Sequence, residues 1–262
     1  MRKSQRSRWR RAAVSFYRDR RSLLTPQLLL IAIVSLSLNG WLASNSNATA
    51  TMPLSPSTAT ATTAASAASY ATLALKHVVS VLQHTPPPDS TGYPHTHSPL
   101  FVTWSIITSV DSTLRGCIGN FKPLSLPAGV IEYACIAAFE DPRFHPLSSS
   151  ELSRIAQSHD KDLQCTVTLL HDFEDITIDP MNWDIGEHGL RVSFKLKNRT
   201  YHATFLPDVA VEQGWTKRDT LNALVQKGGA LGPWADVVPV LVERYRGTKG
   251  SAVLSDVFSR LV

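Results

Sequence analysis

The chain changes character near residue 70, and this change limits what it can fold into. Residues 44–69 consist almost entirely of Ser, Thr, Ala, Pro and Asn, with no charge and few large side chains. Such a segment has too little apolar surface to build a core and is typical of a flexible tether. We therefore predict one folded domain, residues 70–262, behind a linker at 44–69.

Two further segments precede this linker: a basic segment, residues 1–22, and an apolar segment, residues 23–43. The densest apolar part, Leu28–Leu38, is short for the roughly 20 residues of a bilayer span and suits the core of a signal peptide. A membrane anchor, a cleaved signal and an organelle transit peptide are all open. We predict a single N-terminal anchor and a membrane location, with an organelle as an alternative after transit-peptide removal.

The charge of the chain is concentrated at its start. The formal net charge is +5, but residues 1–21 hold nine Lys and Arg side chains against Asp19 alone. The rest of the chain is weakly acidic, so the domain lacks the excess of basic residues that binds nucleic acid. We therefore expect no nucleic acid among its partners.

Three cysteines, Cys117, Cys135 and Cys165, are too few and too unevenly spaced for a disulfide framework. The simpler interpretation is free thiols in a reducing compartment, and one disulfide with one odd thiol is the alternative if the domain is exported.

After residue 70, helical and strand patterns follow one another irregularly. The apolar spacing after Tyr70 predicts a helix that ends at Pro86-Pro87-Pro88, and Lys197-Asn198-Arg199 joins two alternating segments into an antiparallel hairpin. Further helices are expected at 125–140, 148–157, 207–213 and 216–227, and further strands at 100–108, 163–170 and 237–246. This order predicts an α+β domain with a mixed or antiparallel sheet, not a doubly wound one.

We predict that the chemical centre is the block Leu114–Gly119, in which two glycines allow a bend or a close approach beside Arg115 and Cys117. Cys117 is a candidate nucleophile or redox thiol, with Arg115 favouring the thiolate and His188, on a glycine-flanked turn, as the candidate base. The alternative is that Cys117 is a small buried core residue. Chain distance does not establish contact between Cys117 and His188.

We assign ligand binding to Arg115, Gly116, Gly119 and Arg143, where Arg143 either binds an anionic substrate or anchors the chain after a helix. No cofactor motif is present: Gly228-Gly229 lacks the spacing of a phosphate-binding loop and is interpreted as a helix stop. The histidines are too scattered for a metal site, so neither cofactor nor metal is expected.

Several separated blocks together resemble a known family. They are Leu114–Gly119, Asp141–Phe144 with Glu151-Leu152, Gly186–Gly189, Thr204–Trp215, Lys227–Gly229 and Arg244-Tyr245. In this order the blocks are similar to the AMMECR-type domain, named after the gene product of the Alport syndrome, midface hypoplasia, intellectual disability and elliptocytosis chromosomal region. The resemblance covers residues 70–262.

The resemblance implies a two-part α+β domain with a cleft between a larger and a smaller subdomain, and it points to the LRGCIG block as the functional site. It also implies a cytoplasmic or nuclear location as an alternative to the membrane. The resemblance does not indicate a particular reaction. Two hypotheses follow: a cleft-based enzyme or small-ligand binder centred on this block, or a protein–protein interaction module without catalysis. The partner is accordingly a small molecule or a protein, and the oligomeric state is open.

Overall fold

The computed structural model describes residues 58–196, 199–237 and 240–258. Within these residues, six strands form one sheet: β1 (His97–Ile107), β2 (Ser112–Ser125), β3 (Asp162–Asp175), β4 (Gly189–Leu196), β5 (Arg199–Phe205) and β6 (Val240–Val253). The helices are α1 (Thr58–Gln83), α2 (Ala128–Phe139), α3 (Ser149–Ala156), α4 (Val209–Glu212), α5 (Lys217–Lys227) and α6 (Leu254–Phe258), with a 3-10 turn at Trp234–Asp236.

Every neighbouring pair of strands is antiparallel, and the order across the sheet is β2-β1-β3-β6-β4-β5. Strands β2 and β5 are therefore the two edges. The hairpin predicted around residues 197–199 is confirmed, since Leu196 pairs with Arg199 and Leu190 with Phe205.

The sheet is strongly curled. The ring centroids of Phe121 on β2 and Tyr245 on β6 lie 5.4 Å apart, although three strand spacings would separate these strands by about 14 Å in a flat sheet. The guanidinium of Arg191 on β4 lies 5.1 Å from the Phe121 ring centroid. These side chains therefore meet across a concave face.

The convex face of the sheet carries the two main hydrophobic clusters. The larger one packs beneath α1 and α2 on β1 and β3, and the smaller one packs between β4, β5 and α5. The concave face holds a third, small cluster of Phe101, Leu170 and Tyr245, with Cys117, Phe121, Phe173 and Leu206 packed against it. The predicted α+β fold with an antiparallel sheet and a larger and a smaller part is confirmed.

Helix α1 begins at Thr58, within the predicted linker, and continues past Tyr70, the predicted start of the domain. Part of the predicted linker is therefore helical. Alanine is the strongest helix former, and Ala67 is fully buried against β6, where Gly250 leaves room for the helix backbone. The remainder of the linker, residues 44–57, lies outside the described residues.

The predicted membrane location is also corrected. In the part of the chain that the structure describes, no helix is long and apolar enough to cross a membrane. The prediction rested on residues 23–43, which lie outside the described residues, as does the basic segment 1–22.

Candidate functional site

Cys117 lies on the edge strand β2. Its main-chain N–H and C=O groups have no further strand to pair with and hydrogen-bond to side chains instead. Asp141 Oδ2 accepts a hydrogen bond from the Cys117 main-chain N–H at 2.9 Å, and Arg143 Nη2 donates to the Cys117 carbonyl oxygen at 3.1 Å. Arg143 also binds Asp141 through Nη2–Oδ2 at 2.7 Å and Nε–Oδ1 at 3.0 Å. Both polar main-chain groups of Cys117 are thereby satisfied at the open edge.

The Cys117 side chain belongs to the concave face. Thr103, directly opposite on β1, donates from Oγ1 to Cys117 Sγ at 3.2 Å. Burial raises the pKa of the Cys117 thiol, and the Thr103 hydrogen bond and the Arg143 charge offset only part of this effect. Because the thiolate is the reactive form, these surroundings do not activate Cys117 as a nucleophile. All three cysteines are free thiols, as the simpler interpretation expected.

A β-bulge lies at Arg115. Trp104 pairs with Gly116, but the next residue of β1, Ser105, pairs with Leu114, which leaves Arg115 as the extra residue of β2. A bulge redirects the side chain of the extra residue. The predicted effect of Arg115 on the Cys117 thiolate requires both side chains on one face of a regular strand, and the bulge removes that arrangement.

Arg115 instead binds Glu151 on α3. Two parallel hydrogen bonds join them, Nε to Oε1 at 2.7 Å and Nη2 to Oε2 at 2.8 Å. Ser148, whose Oγ accepts a hydrogen bond from the Glu151 main-chain N–H, caps the first turn of α3 and fixes the position of Glu151. The third nitrogen of the fork, Arg115 Nη1, is buried, and no described residue hydrogen-bonds to it.

Two predicted ligand-binding residues, Arg115 and Arg143, line the same shallow cavity of about 490 Å³. Its other lining residues are Phe144, His145, Pro146, Ser148, Glu151 and Arg154. The Arg115 and Arg143 guanidinium carbons lie 6.0 Å and 5.3 Å from the centroid of the Phe144 ring, within cation–π range. Three guanidinium groups thus face one carboxylate, and the lining carries a net positive charge.

The other two predicted ligand-binding residues, Gly116 and Gly119, accommodate protein groups. A Cβ at Gly116 would lie 2.2 Å from the carbonyl oxygen of Ala137 on α2, and one at Gly119 would lie 2.3 Å from the Phe101 ring. The close approach that the two glycines predicted is therefore that of a helix and an aromatic ring.

Lys227 lies near Cys117, although the sequence pattern around it, a lysine before a glycine pair, indicates only the end of a helix. Its ammonium donates to the main-chain oxygen of Thr204 on the edge strand β5 at 3.0 Å and lies 4.8 Å from the centroid of the Phe205 ring. Burial, with the positive charge of Arg143, lowers the pKa of Lys227 to about 8, and the Cys117 thiol acts in the opposite direction.

The two edges of the curled sheet approach each other near Cys117, because Cys117 on β2 and Leu206, the residue after β5, pack against the same small cluster. Arg143 is attached to the β2 edge and Lys227 to the β5 edge, yet their charges act on each other and on the same thiol. Lys249 of β6 is also coupled to Cys117, and it forms an ion pair with Asp208 at the start of α4. We call this place, defined by Cys117, Arg143, Lys227 and Lys249, the seam.

His188, the predicted base, is not brought to Cys117. Its Nδ1 accepts a hydrogen bond from the Asp184 main-chain N–H at 3.0 Å, and Arg246 Nε lies 3.4 Å from its Nε2. Arg246 lies between Tyr245 and Gly247 on β6 and points away from the concave face that holds Cys117. Burial and the charges of Arg244 and Arg246 lower the pKa of His188, which is held as a neutral ring within its own loop.

One group of potential metal ligands emerges at this loop, where oxygen or nitrogen atoms of Asp184, Glu187 and His188 lie within 4.8 Å of one another. Both carboxylates already face cations: Lys217 Nζ lies 3.8 Å from Asp184, and Arg246 Nη2 lies 3.2 Å from Glu187. The nitrogen that His188 turns towards Asp184 is engaged by a main-chain N–H. Protein groups thus balance the charge of this cluster.

Tyr245 connects the remaining sequence blocks. Its hydroxyl donates to the Phe205 main-chain oxygen at 3.0 Å and hydrogen-bonds Thr204 Oγ1 at 2.8 Å. A Cβ at Gly189, its partner on β4, would lie 2.5 Å from the tyrosine ring. Tyr245 therefore contacts two other sequence blocks, that of Gly189 and that of Thr204.

Comparison with known proteins supplies relatives for this arrangement. The family model described as AMMECR1 matches residues 68–249. An uncharacterized protein of Arabidopsis thaliana is 36% identical over 182 residues, which cover 68% of this chain and 79% of the relative. An uncharacterized protein of Kluyveromyces lactis is 38% identical over 171 residues, covering 58% of this chain and 70% of the relative.

A solved structure is similar as well. The crystal structure of an uncharacterized protein from Pyrococcus horikoshii matches with a TM-score of 0.58 and 25% sequence identity. The match covers 71% of this chain and 91% of that chain.

Proposed function

The chain belongs to the AMMECR1 family, and we propose that its LRGCIG block serves a binding site for a small anionic ligand. The cavity lined by Arg115, Arg143 and Arg154 is this site. The proposal depends on one observation above all: two arginines assigned to ligand binding from the sequence converge with Arg154 on one cavity, whose lining contains a single carboxylate, that of Glu151.

The protein itself orients the Arg115 guanidinium. Glu151 accepts two parallel hydrogen bonds from it, one from Nε and one from Nη2. Arg115 is therefore held in place before a ligand arrives, and little side-chain entropy remains to be lost.

The charges of the cavity indicate the chemical class of the ligand. Guanidinium groups match the geometry of carboxylate and phosphate oxygens. Asp141 balances Arg143 and Glu151 balances Arg115, whereas Arg154 is exposed at the rim. We infer that Arg154 supplies the excess positive charge that attracts the anion, and that the Phe144 ring supports an adjoining flat group.

Inorganic phosphate, titrated into the full chain at constant ionic strength, tests this function. We expect saturable binding that Arg154→Gln weakens about tenfold, the size of one charge-assisted hydrogen bond. Arg218→Gln, which removes an exposed arginine on α5, is the matched control and should bind as the wild type does. Calorimetry measures both affinities.

Equal phosphate affinities of the wild type and Arg154→Gln would contradict this function, as would a wild-type chain that shows no saturable binding. Arg115 and Arg143 are unsuitable for this test, because each is tied to a carboxylate that its removal would leave unpaired.

A further inference from the structure

We propose that the open end of strand β6 is a docking site for a short, extended segment of a partner protein that carries lysine or arginine together with apolar side chains. The site is a groove of about 590 Å³ lined by residues 175–179, Asn182 and Leu241, and we call it the β6 groove. None of these residues lines the anion cavity, so this inference does not rest on the proposed function.

The β6 groove begins where β6 loses its neighbour on one side. The register between β3 and β6 ends at Asp175, which pairs with Glu243. One residue further along, the Ile176 main-chain N–H donates to the Val242 carbonyl oxygen at 2.9 Å, and the Val242 N–H donates to Thr177 Oγ1 at 3.0 Å. A side chain thus takes the acceptor position that a strand would supply, and the pairing stops there.

Val240 lies beyond this point and leaves part of the sheet edge open. Its main-chain N–H and C=O groups point to the same side as those of Val242, because these groups alternate along a strand. Strand β4 occupies the other side, where Leu241 pairs with Ser193. Among the described residues, none pairs with Val240 on the side of the groove. An open edge of this kind accepts an added strand through main-chain hydrogen bonds.

Two branched apolar side chains border the open edge. Ile178 is fully exposed and Leu241 is 58% exposed, and both line the β6 groove. Contact with an apolar side chain of a bound peptide would remove this surface from water, which is favourable. The groove therefore selects a segment that carries apolar residues as well as a free main chain.

The charge of the β6 groove selects the polar residues of that segment. The two titratable residues of its lining, Asp175 and Asp179, are both carboxylates. In the part of the chain that the structure describes, no cation forms an ion pair with either of them. Hydrogen bonds from the Thr177 hydroxyl and main-chain N–H hold the pKa of Asp175 below its ordinary value, so this group is ionised.

Two cations near the β6 groove are already paired with other carboxylates. Glu243, directly opposite Asp175, pairs with Arg191. Arg244, whose Nη1 donates to Asn182 Oδ1, pairs with Glu174. The carboxylates of the lining thus remain as excess negative charge, and a lysine or arginine of the peptide would balance them.

Binding of a synthetic peptide to the full chain tests the proposal. The probe is Arg-Arg-Val-Val-Arg-Arg with fluorescein at its start and an amide at its end. Its paired arrangement puts both kinds of side chain on each face of a strand. We expect saturable binding by fluorescence anisotropy at physiological ionic strength. The same peptide with both valines N-methylated keeps its charge but loses two main-chain donors, and it should bind about fivefold more weakly.

The charge requirement is tested by a double variant, Asp175→Asn with Asp179→Asn. It should bind the probe about fivefold more weakly, the size of two exposed ion pairs. Asp89→Asn with Asp111→Asn is the matched control, because it removes two exposed carboxylates outside the groove and changes the net charge equally. The control should bind as the wild type does.

The apolar requirement is tested by Ile178→Ser. This side chain is fully exposed, so its replacement leaves the fold intact, and it should weaken probe binding about fivefold. Leu231→Ser, at another almost fully exposed position outside the groove, is the control and should not change the affinity.

Equal affinities of the two double variants would overturn the proposal, as would a wild type that does not bind the probe. Equal binding of the N-methylated peptide would overturn strand addition. Probe binding that appears only after the arginines of residues 1–22 are replaced by glutamine would assign the groove to the basic segment of the chain itself. A wild-type dimer that Ile178→Ser dissociates in sedimentation would assign it to a second copy. Either result would overturn the partner segment.

Discussion

Asp141 is the side chain on which the arrangement at Cys117 depends most. It is almost completely buried, and it accepts hydrogen bonds from the Cys117 main chain and from Arg143. Burial alone would raise the pKa of the Asp141 carboxyl, but the hydrogen bonds from Arg143 and from the Cys117 N–H hold it below its ordinary value. The ionised carboxylate therefore stabilises the folded protein at pH values above the ordinary pKa of an aspartate.

Replacement of Asp141 tests this role. Asp141→Asn should lower the free energy of unfolding by about 3 kcal/mol at pH 7, since it leaves the buried side of Arg143 without a counter-charge. The stability that the ionised carboxylate provides is lost as the pH falls through its folded-state pKa, so the difference from wild type should shrink below pH 3.8. Urea unfolding at several pH values measures it.

Asp236→Asn, at an exposed position, is the control and should change the free energy of unfolding by less than about 0.5 kcal/mol. A pH-independent difference for Asp141→Asn would contradict the role of the carboxylate.

Among single residues, Arg115, Cys117 and Arg143 are predicted site residues, from their side-chain chemistry and from the blocks that carry the family resemblance. The sequence could not show which of them contact one another. The bulge at Arg115 depends on the register between β1 and β2. The position of His188 depends on the face of the sheet to which its neighbour Arg246 points. Lys227 was not predicted, because burial lowers its pKa and burial cannot be inferred from the neighbouring residues in the sequence.

At the scale of elements, α1 and β6 hold each other in place. A Cβ at Gly250 would lie 2.0 Å from the Ala68 main-chain nitrogen and 2.3 Å from the Ala67 carbonyl carbon. The backbone of α1 therefore packs directly on that of β6. This contact anchors α1 at Ala67 and Ala68, within a segment whose composition indicated a tether.

Gly250→Ala should consequently destabilise the protein. We expect a loss of about 2 kcal/mol in the free energy of unfolding, because the backbone atoms of α1 must move to admit the methyl group. Gly92→Ala is the matched control, since a Cβ at Gly92 meets no atom within 4 Å. Urea denaturation of both variants compares them, and equal stability would show that α1 does not pack on β6 as described.

The sequence predicted most elements because their patterns are local: the hairpin of β4 and β5, helix α3 and the end of α5 all depend on residues close in the chain. Strand β6 was predicted to be shorter than observed. Gly247 and Gly250 weaken its strand pattern, and their presence is explained only by the neighbours that they admit, Thr168 and α1.

At the scale of the whole molecule, the curl of the sheet brings side chains of distant strands together on the concave face. The Phe121 ring on β2 lies 5.4 Å from the Tyr245 ring on β6, and the Arg191 guanidinium on β4 lies 5.1 Å from the Phe121 ring. Composition and periodicity predicted the α+β class, but they contain no information on strand order or curl. Those depend on long-range pairing and twist.

The most direct test of the proposed function is a crystal structure of the chain with selenate, an oxyanion whose anomalous scattering shows its position. We predict one selenate in the cavity, with oxygens about 3 Å from nitrogens of at least two of Arg115, Arg143 and Arg154. An empty cavity under conditions that saturate phosphate binding in solution, or selenate bound only elsewhere, would contradict the proposal.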